Sequence, residues 1–220
     1  MDDTVIKITS RKKALFKHIS RSGEYVQGTT FMEVDMGNIR ELRQTRKASY
    51  TSYIAFAVVQ GLKEFPLLNS TLGDGEIILK ADINLGVALD YEGRLMVPVI
   101  KNAGQCTAQD IDAKLKSFQE KAANNSMGME DLEGGTFTLT NSGIFGSSFF
   151  TPVINYPQSA ILGIAAITDK PTVREGQIVI RPLCNFCLSY DHRIIEGSVA
   201  VRFLAKVKEI LETGTLDILG

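Results

Sequence analysis

Two hydrophobic periods alternate along this chain, and that alternation limits it to a mixed α/β architecture. Apolar residues at three- and four-residue spacing mark helices, whereas strict alternation marks half-buried strands. Helical spacing runs over residues 10–21, where Ala14, Leu15 and Ile19 share one side amid Arg11, Lys12, Lys13, Lys17 and Arg21. It returns in a short arginine-rich stretch at 38–47 and in a strongly apolar one at 49–65, stopped by Pro66. Thr107 opens a further helix, with Asp110 placed as in a capping box and Ile111, Leu115, Phe118 and Ala122 recurring at helical spacing. A last helix is expected over 197–212, with Val199, Phe203, Val207, Ile210 and Leu211 facing inward and Gly214 as its stop.

Between these helices lie the strands. Residues 31–34, 83–89, 95–100, 136–140, 159–167 and 177–189 carry β-branched and aliphatic residues. Asp74-Gly75, between Thr71-Leu72 and 77–79, is a hairpin turn signal. Glu92-Gly93 joins two of the strands, and Gly134-Gly135 breaks the chain before another. No Pro/Ser/Gly linker, repeat or low-complexity segment interrupts the order, so the 220 residues read as one α/β domain with a mixed sheet.

Composition removes several function classes. A hydrophobic fraction of 44% and a charged fraction of 22% exclude a disordered or fibrous chain. Lys+Arg 24 against Asp+Glu 25 leaves no basic excess for nucleic acid. No apolar run approaches the roughly 20 residues of a membrane span, and Met1-Asp2-Asp3-Thr4 does not open a signal peptide. The expected setting is the cytoplasm or an organelle interior. Cys184 and Cys187 form a C-x-x-C pair, but Cys106 is the sole further cysteine, so neither a disulfide framework nor a finger-type zinc site can be assembled. The pair lies in strand-like sequence, where i and i+3 point to opposite faces, and reads as two buried thiols.

Two segments could carry chemistry. His18 and His192 are the only histidines. His18 sits among lysines and reads as a surface or packing residue. His192 sits in 189–197 (SYDHRIIEG), where a strand gives way to the last helix, and packing alone does not explain four polar or charged residues there. Pattern leaves a structural and a functional His192 equally open. In 134–146 (GGTFTLTNSGIFG), alternation puts Thr136, Thr138 and Thr140 on one face, and the row ends at Asn141 and two glycines that allow close backbone approach. Taken alone, this is a strand and a loop.

The block Asp191-His192-Arg193-Ile194-Ile195-Glu196-Gly197 resembles the D-H-R-x-x-D-G signature of the dihydrolipoamide acyltransferases. These are the E2 core enzymes of 2-oxo acid dehydrogenase complexes, related in fold to chloramphenicol acetyltransferase. Residues 84–89 (NLGVAL), 93–100 (GRLMVPVI), 134–143, 151–155 (TPVIN) and 157–163 (PQSAILG) resemble further family blocks in family order, so the likeness covers residues 5 to 218. It implies a two-layer sandwich like that of chloramphenicol acetyltransferase, a mixed β-sheet with helices packed on it, and an active site at a trimer interface. Residues 1–220 read as a single acyltransferase catalytic domain, without the lipoyl and peripheral-subunit-binding domains that full-length family members carry upstream, as expected of either an excised core or a minimal protein.

The resemblance assigns His192 as general base, taking the proton from the thiol of coenzyme A or dihydrolipoamide. A base near pKa 6.5 suits a thiol near about 8.5 at neutral pH. Thr140 is the implied oxyanion donor, and the two residues come from different subunits. Glu196 stands where the signature has aspartate, a carboxylate thought to pair with an N-terminal arginine, for which Arg11 is the candidate. The stretch between Arg40 and Ser52 is shorter than in many family members, which touches the contacts to coenzyme A usually made there. The lipoyl-lysine would come from a lipoyl domain outside this chain. Expected partners are that domain, the E1 and E3 subunits, and two further copies, with trimers assembling into a 24-subunit cube through the apolar tail Leu216-Asp217-Ile218-Leu219-Gly220. The uncharged run 136–154, with Phe145, Phe149 and Phe150, is a candidate trimer contact.

Thr140-Asn141 is more like the succinyltransferases than the acetyltransferases, which often carry two serines there, so succinyl is the favoured acyl group. Two other classes compete: a CoA-dependent acyltransferase acting on a small alcohol or amine, and an inactive scaffold. Keeping both His192 and Thr140 speaks against the scaffold, and the extended family match against the small acceptor.

Overall fold

The computed structural model describes residues 8–46 and 48–214, and for residues 11, 12, 14 and 15 the backbone alone. The proposed partner Arg11 and the tail 215–220 therefore lie outside the described side chains. Five helices are described: α1 (Ser10–Ser22), α2 (Gly37–Thr45), α3 (Tyr50–Glu64), α4 (Ala108–Ala123) and α5 (Gly197–Thr213); α2 to α5 contribute to the core, while the described side chains of α1 are exposed but for Ser22. Each helix signal in the sequence is met. Thr107 and Asp110 form the expected reciprocal capping box, and Ser49 caps α3 by accepting the Ser52 N–H. Gly214 stops α5 as expected, without the left-handed turn that glycine permits.

The main sheet has six strands in the order β1-β10-β9-β8-β4-β7. These are β1 (Gln27–Asp35), β4 (Leu85–Val87), β7 (Val99–Ile100), β8 (Phe137–Asn141), β9 (Ala160–Arg174) and β10 (Gln177–Asp191). β4, β8 and β9 run parallel, while β1, β7 and β10 are antiparallel to their neighbours, so the sheet is mixed. The hairpin at Asp74-Gly75 forms from β2 (Ser70–Leu72) and β3 (Ile77–Leu79), with Gly75 at φ +78°. The stretches 83–89 and 95–100 are not two strands. They split into β4 and β7 within the sheet and a side hairpin, β5 (Leu89–Tyr91) with β6 (Arg94–Met96). Pro98 has no N–H to continue a ladder, and β7 restarts directly after it. β1 begins at Gln27 and β9 runs on to Arg174, both longer than read, because β10 pairs with each of them over its length.

The core lies between the sheet and α3, α4 and α5. α3 is buried on nearly every side, from Ser52 through Val59 and again at Gly61 and Leu62. Its passage against α5 is close: a Cβ at Gly61 would lie 2.9 Å from the Phe203 ring. Cys184 and Cys187 are free and buried within β10, as expected. Burial pushes the Cys184 thiol up to about 12 and raises Cys187 as well. The half-buried Cys106 is raised too, first by burial and then by Asp110. A disulfide reagent should modify Cys106 alone in the native protein and all three thiols after unfolding. Rapid native reaction of all three would contradict this packing.

Where β1 meets the far end of β10, Asp35 is 6% exposed and accepts from Arg181 Nε at 2.8 Å, Arg174 Nη2 at 3.1 Å and the Gly37 N–H at 2.9 Å. Burial by itself raises the Asp35 carboxyl, but these donors together outweigh it and hold the group below its ordinary range. The Arg181 and Arg174 side chains are 36% and 52% exposed and can turn to solvent if the carboxylate is lost. Asp35→Ala should therefore cost about 1–2 kcal/mol, less than the roughly 3–5 kcal/mol of a fully buried pair. Because the folded value is depressed, this contribution is complete above the unfolded value near about 3.9 and is lost as pH falls through the folded value. Urea unfolding should show a constant gap between wild type and variant from about pH 5 to 8, closing under stronger acid.

Candidate active site

His192 follows the last residue of β10 and belongs to the turn that leads into α5. Its N–H donates to the Val26 carbonyl at 2.8 Å, which ties it to the residue preceding β1. On its N-terminal side Asp191 is fully buried and forked by Arg193, with Nε at 2.9 Å from one carboxylate oxygen and Nη2 at 2.7 Å from the other. The Asp191 carbonyl also accepts the N–H groups of Ile194 and Ile195, both buried. The turn is thus pinned at both ends while the His192 side chain stays exposed. Its ring rests beside that of Tyr190, with centroids 5.6 Å apart. Arg193 lies 5.5 Å over the Tyr25 ring, and Tyr25 donates to the Gln158 carbonyl at 2.9 Å. Burial, and then the nearby Asp191 charge, raises the Tyr25 hydroxyl well above the ordinary tyrosine range, which keeps it protonated as that donor. Glu196 is the N-cap of α5, but its exposed side chain makes no capping hydrogen bond.

Thr140 sits near the end of β8 and lines a cavity of about 350 Å³. Thr51 from α3, Asp112 and Lys116 from α4, and Asn141 and Phe145 share that lining. Asn141 secures the strand end. Its amide nitrogen lies 3.4 Å from Thr51 Oγ1, and its oxygen accepts the Gly143 N–H at 2.9 Å. A Cβ at Gly143 would stand 2.3 Å from the Ala165 carbonyl oxygen, so the loop can pass there only as glycine. On the opposite wall, Asp112 accepts the Ser49 N–H at 2.8 Å and pairs with Lys116 at 2.7 Å. Burial pushes the Asp112 carboxyl up, and the Lys116 and Ser49 donors overcome this and keep it low.

The two candidate residues do not meet within one chain. Thr140 pairs with Gly163, and Gly163 with Cys187, which is five residues short of His192. At about 3.3 Å per residue along a strand and about 4.8 Å between strands, the Cα atoms are roughly 19 Å apart. Among the described residues, neither the Thr140 hydroxyl nor the His192 ring nitrogens are hydrogen-bonded. Both groups are open to a partner supplied from elsewhere.

His18 is exposed, and its Nε2 lies 2.7 Å from Asn155 Oδ1. Asn155 Nδ2 reaches Thr138 Oγ1 at 3.3 Å, and Thr138 donates to Gln158 at 2.7 Å. Reading His18 as a packing residue fits this chain, which fastens α1 to the segment before β9. Sequence reasoning missed Tyr190 and Gly28 beside His192, and Asp112 beside Thr140. A buried aspartate on the apolar side of a capped helix was the one signal that could have drawn attention to Asp112.

Comparison with known proteins places the chain in a family. The family described as 2-oxoacid dehydrogenases acyltransferase (catalytic domain) matches residues 1–218. The chain is 41% identical to the dihydrolipoyllysine-residue succinyltransferase component of the 2-oxoglutarate dehydrogenase complex of Cupriavidus necator, over 84% of this chain and 47% of that protein. It is 40% identical to the lipoamide acyltransferase component of the branched-chain alpha-keto acid dehydrogenase complex of Bacillus subtilis, over 96% and 53%. The chain thus spans about half the length of these relatives. A probable dihydrolipoamide acetyltransferase from Listeria monocytogenes superposes with a TM-score of 0.91 at 36% identity, over 98% of this chain and 97% of that one. A chain from the cubic core of the pyruvate dehydrogenase multienzyme complex also gives 0.91, at 28% identity over 96% and 92%. Chloramphenicol acetyltransferase, at 15% identity and 0.57 over 99% of both chains, shares the fold. The chain belongs to the acyltransferase catalytic-domain family of the 2-oxo acid dehydrogenases.

Proposed function

We propose that this domain transfers an acyl group between dihydrolipoamide and coenzyme A, as the core of a 2-oxo acid dehydrogenase complex, with a site shared between copies. The observation that carries the reading is the separation of His192 and Thr140 across one sheet, with both functional groups left open. His192 takes the proton of the attacking thiol, and the thiolate adds to the carbonyl carbon of the thioester held by the other thiol. The tetrahedral oxyanion receives a hydrogen bond from the Thr140 hydroxyl of a neighbouring copy. Collapse breaks the original carbon–sulfur bond, and the departing thiolate recovers its proton from the His192 imidazolium. Glu196 keeps, at the N-cap of α5, the carboxylate charge that the family signature carries at this position.

The minimal working unit is then a trimer. The exposed side chains of Ile144 and Phe145 beside Thr140, and of Phe149 further along against Phe31, support a contact between copies along this segment. Assembly of trimers into a cubic particle is favoured by the likeness to a cubic core. The lipoyl-lysine arm is supplied by a lipoyl domain outside residues 1–220, and E1 and E3 subunits complete the cycle. No described helix is long and apolar enough to cross a membrane, and we assign the domain to the cytoplasm, or to the mitochondrial matrix in a eukaryote.

His192→Ala should abolish transfer, and Thr140→Ala should lower kcat about 10²–10³-fold with little change in KM. Mixing the two inactive variants under conditions that exchange subunits should restore part of the activity, because some interfaces then combine an intact His192 with an intact Thr140. Failure of mixed particles to regain activity, with exchange verified by mass, would exclude a shared site.

For the acyl group we propose succinyl, on the Thr140-Asn141 pair and on the succinyltransferase relatives at 36–41% identity. kcat/KM should be highest for succinyl-CoA among succinyl-, acetyl- and isobutyryl-CoA with free dihydrolipoamide as acceptor. A preference for isobutyryl-CoA would move the domain toward the branched-chain relatives.

A further inference from the structure

We propose that Gly28 is a positioning residue for His192, seating its ring by leaving room for Tyr190 to lie across β1. The inference rests on reading His192 as the base. Gly28 and Tyr190 are direct partners in the β1–β10 ladder. A Cβ at Gly28 would lie 2.9 Å from both Cε2 and Cζ of Tyr190 and 3.1 Å from Cδ2 of His192. The two rings therefore occupy the space that a side chain at this position would take.

Backbone conformation does not call for glycine here. The glycines with positive φ are Gly75, Gly93, Gly134, Gly146 and Gly176, and Gly28 is not among them. A glycine inside a strand weakens it, so the position is better explained by what must pass over it. Tyr190 is 5% exposed and packed into the core, and it has little room to withdraw. The His192 ring is the exposed member of the pair and would be the one displaced. Its backbone is already held by the Val26 carbonyl and by the Asp191–Arg193 fork. The ring is the adjustable part, and Tyr190 over Gly28 is the surface against which it rests.

The test is Gly28→Ala in the assembled protein, with His192→Ala alongside. Expected are a fall in kcat of about tenfold with KM for coenzyme A nearly unchanged, since small misplacement of a catalytic group costs rate before binding. The melting temperature should fall modestly, because crowding the buried Tyr190 ring outweighs the better fit of alanine to a strand, and activity is therefore compared well below the unfolding transition. Histidine-selective labelling supplies the readout that a merely structural role would not move. With two histidines in the chain, the Cδ2–H resonance of His192, shifted by the Tyr190 ring current, should change while that of His18 stays. A kcat within twofold of wild type, or a rate loss with the His192 resonance unmoved, would overturn the seat. Full activity in His192→Ala would instead overturn the base reading, and the resonance would still report on the seat.

Discussion

Parallel pairing of β8 with β9 and antiparallel pairing of β9 with β10 send the C-terminal ends of β8 and β10 to opposite ends of the sheet. Thr140 lies near one of those ends and His192 just beyond the other. No side-chain rotation spans a gap of roughly 19 Å, and the strands cannot slide, because a slip of one residue would turn every buried side chain of β10 to the other face. The sheet therefore holds the two candidate residues at its opposite ends, and this is the ground for the proposal that the site is shared between copies.

Each end is held by contacts within the chain. At the His192 end, the fully buried Asp191 carboxylate is answered by a two-pronged guanidinium and the backbone amide of Arg193, while its carbonyl takes two further amides, which fixes the turn and leaves the imidazole in solvent. At the Thr140 end, Asn141 and Gly143 hold the strand terminus against α3 and β9, while Asp112 braces α3 against α4. The same device recurs at Asp35, where two arginines answer a buried carboxylate at the base of the long β9–β10 hairpin. In each case the burial cost of a charge is offset by donors that also fix a backbone position, so the charge acts as a local clamp.

Much of this was legible in the residues. The helical periods gave α1, α3, α4 and α5 to within two residues, the Thr107–Asp110 box marked the start of α4, and Asp74-Gly75 marked its hairpin. These are short-range signals, in which a turn of helix or a tight turn is decided by residues within four positions. The division of 83–100 into two separate strand pairs was not legible, because Pro98 acts only once its neighbours in the ladder are known. The full lengths of β1 and β9 were missed for the same reason, since strand ends are set by how far a distant partner extends.

By itself, then, the sequence determined the class of the fold, its helices and tight turns, and two residues of suitable chemistry in recognisable blocks. Only the tertiary structure decided that those two residues stand at opposite ends of one sheet, that Tyr190 lies over Gly28 beside the imidazole, and that Asp112 braces the wall facing Thr140. The physical reason is the range of the interactions. Periodicity and capping act over a few residues and can be read along the chain, whereas ladder register joins segments far apart in sequence, and it is register that sets which side chains share a site.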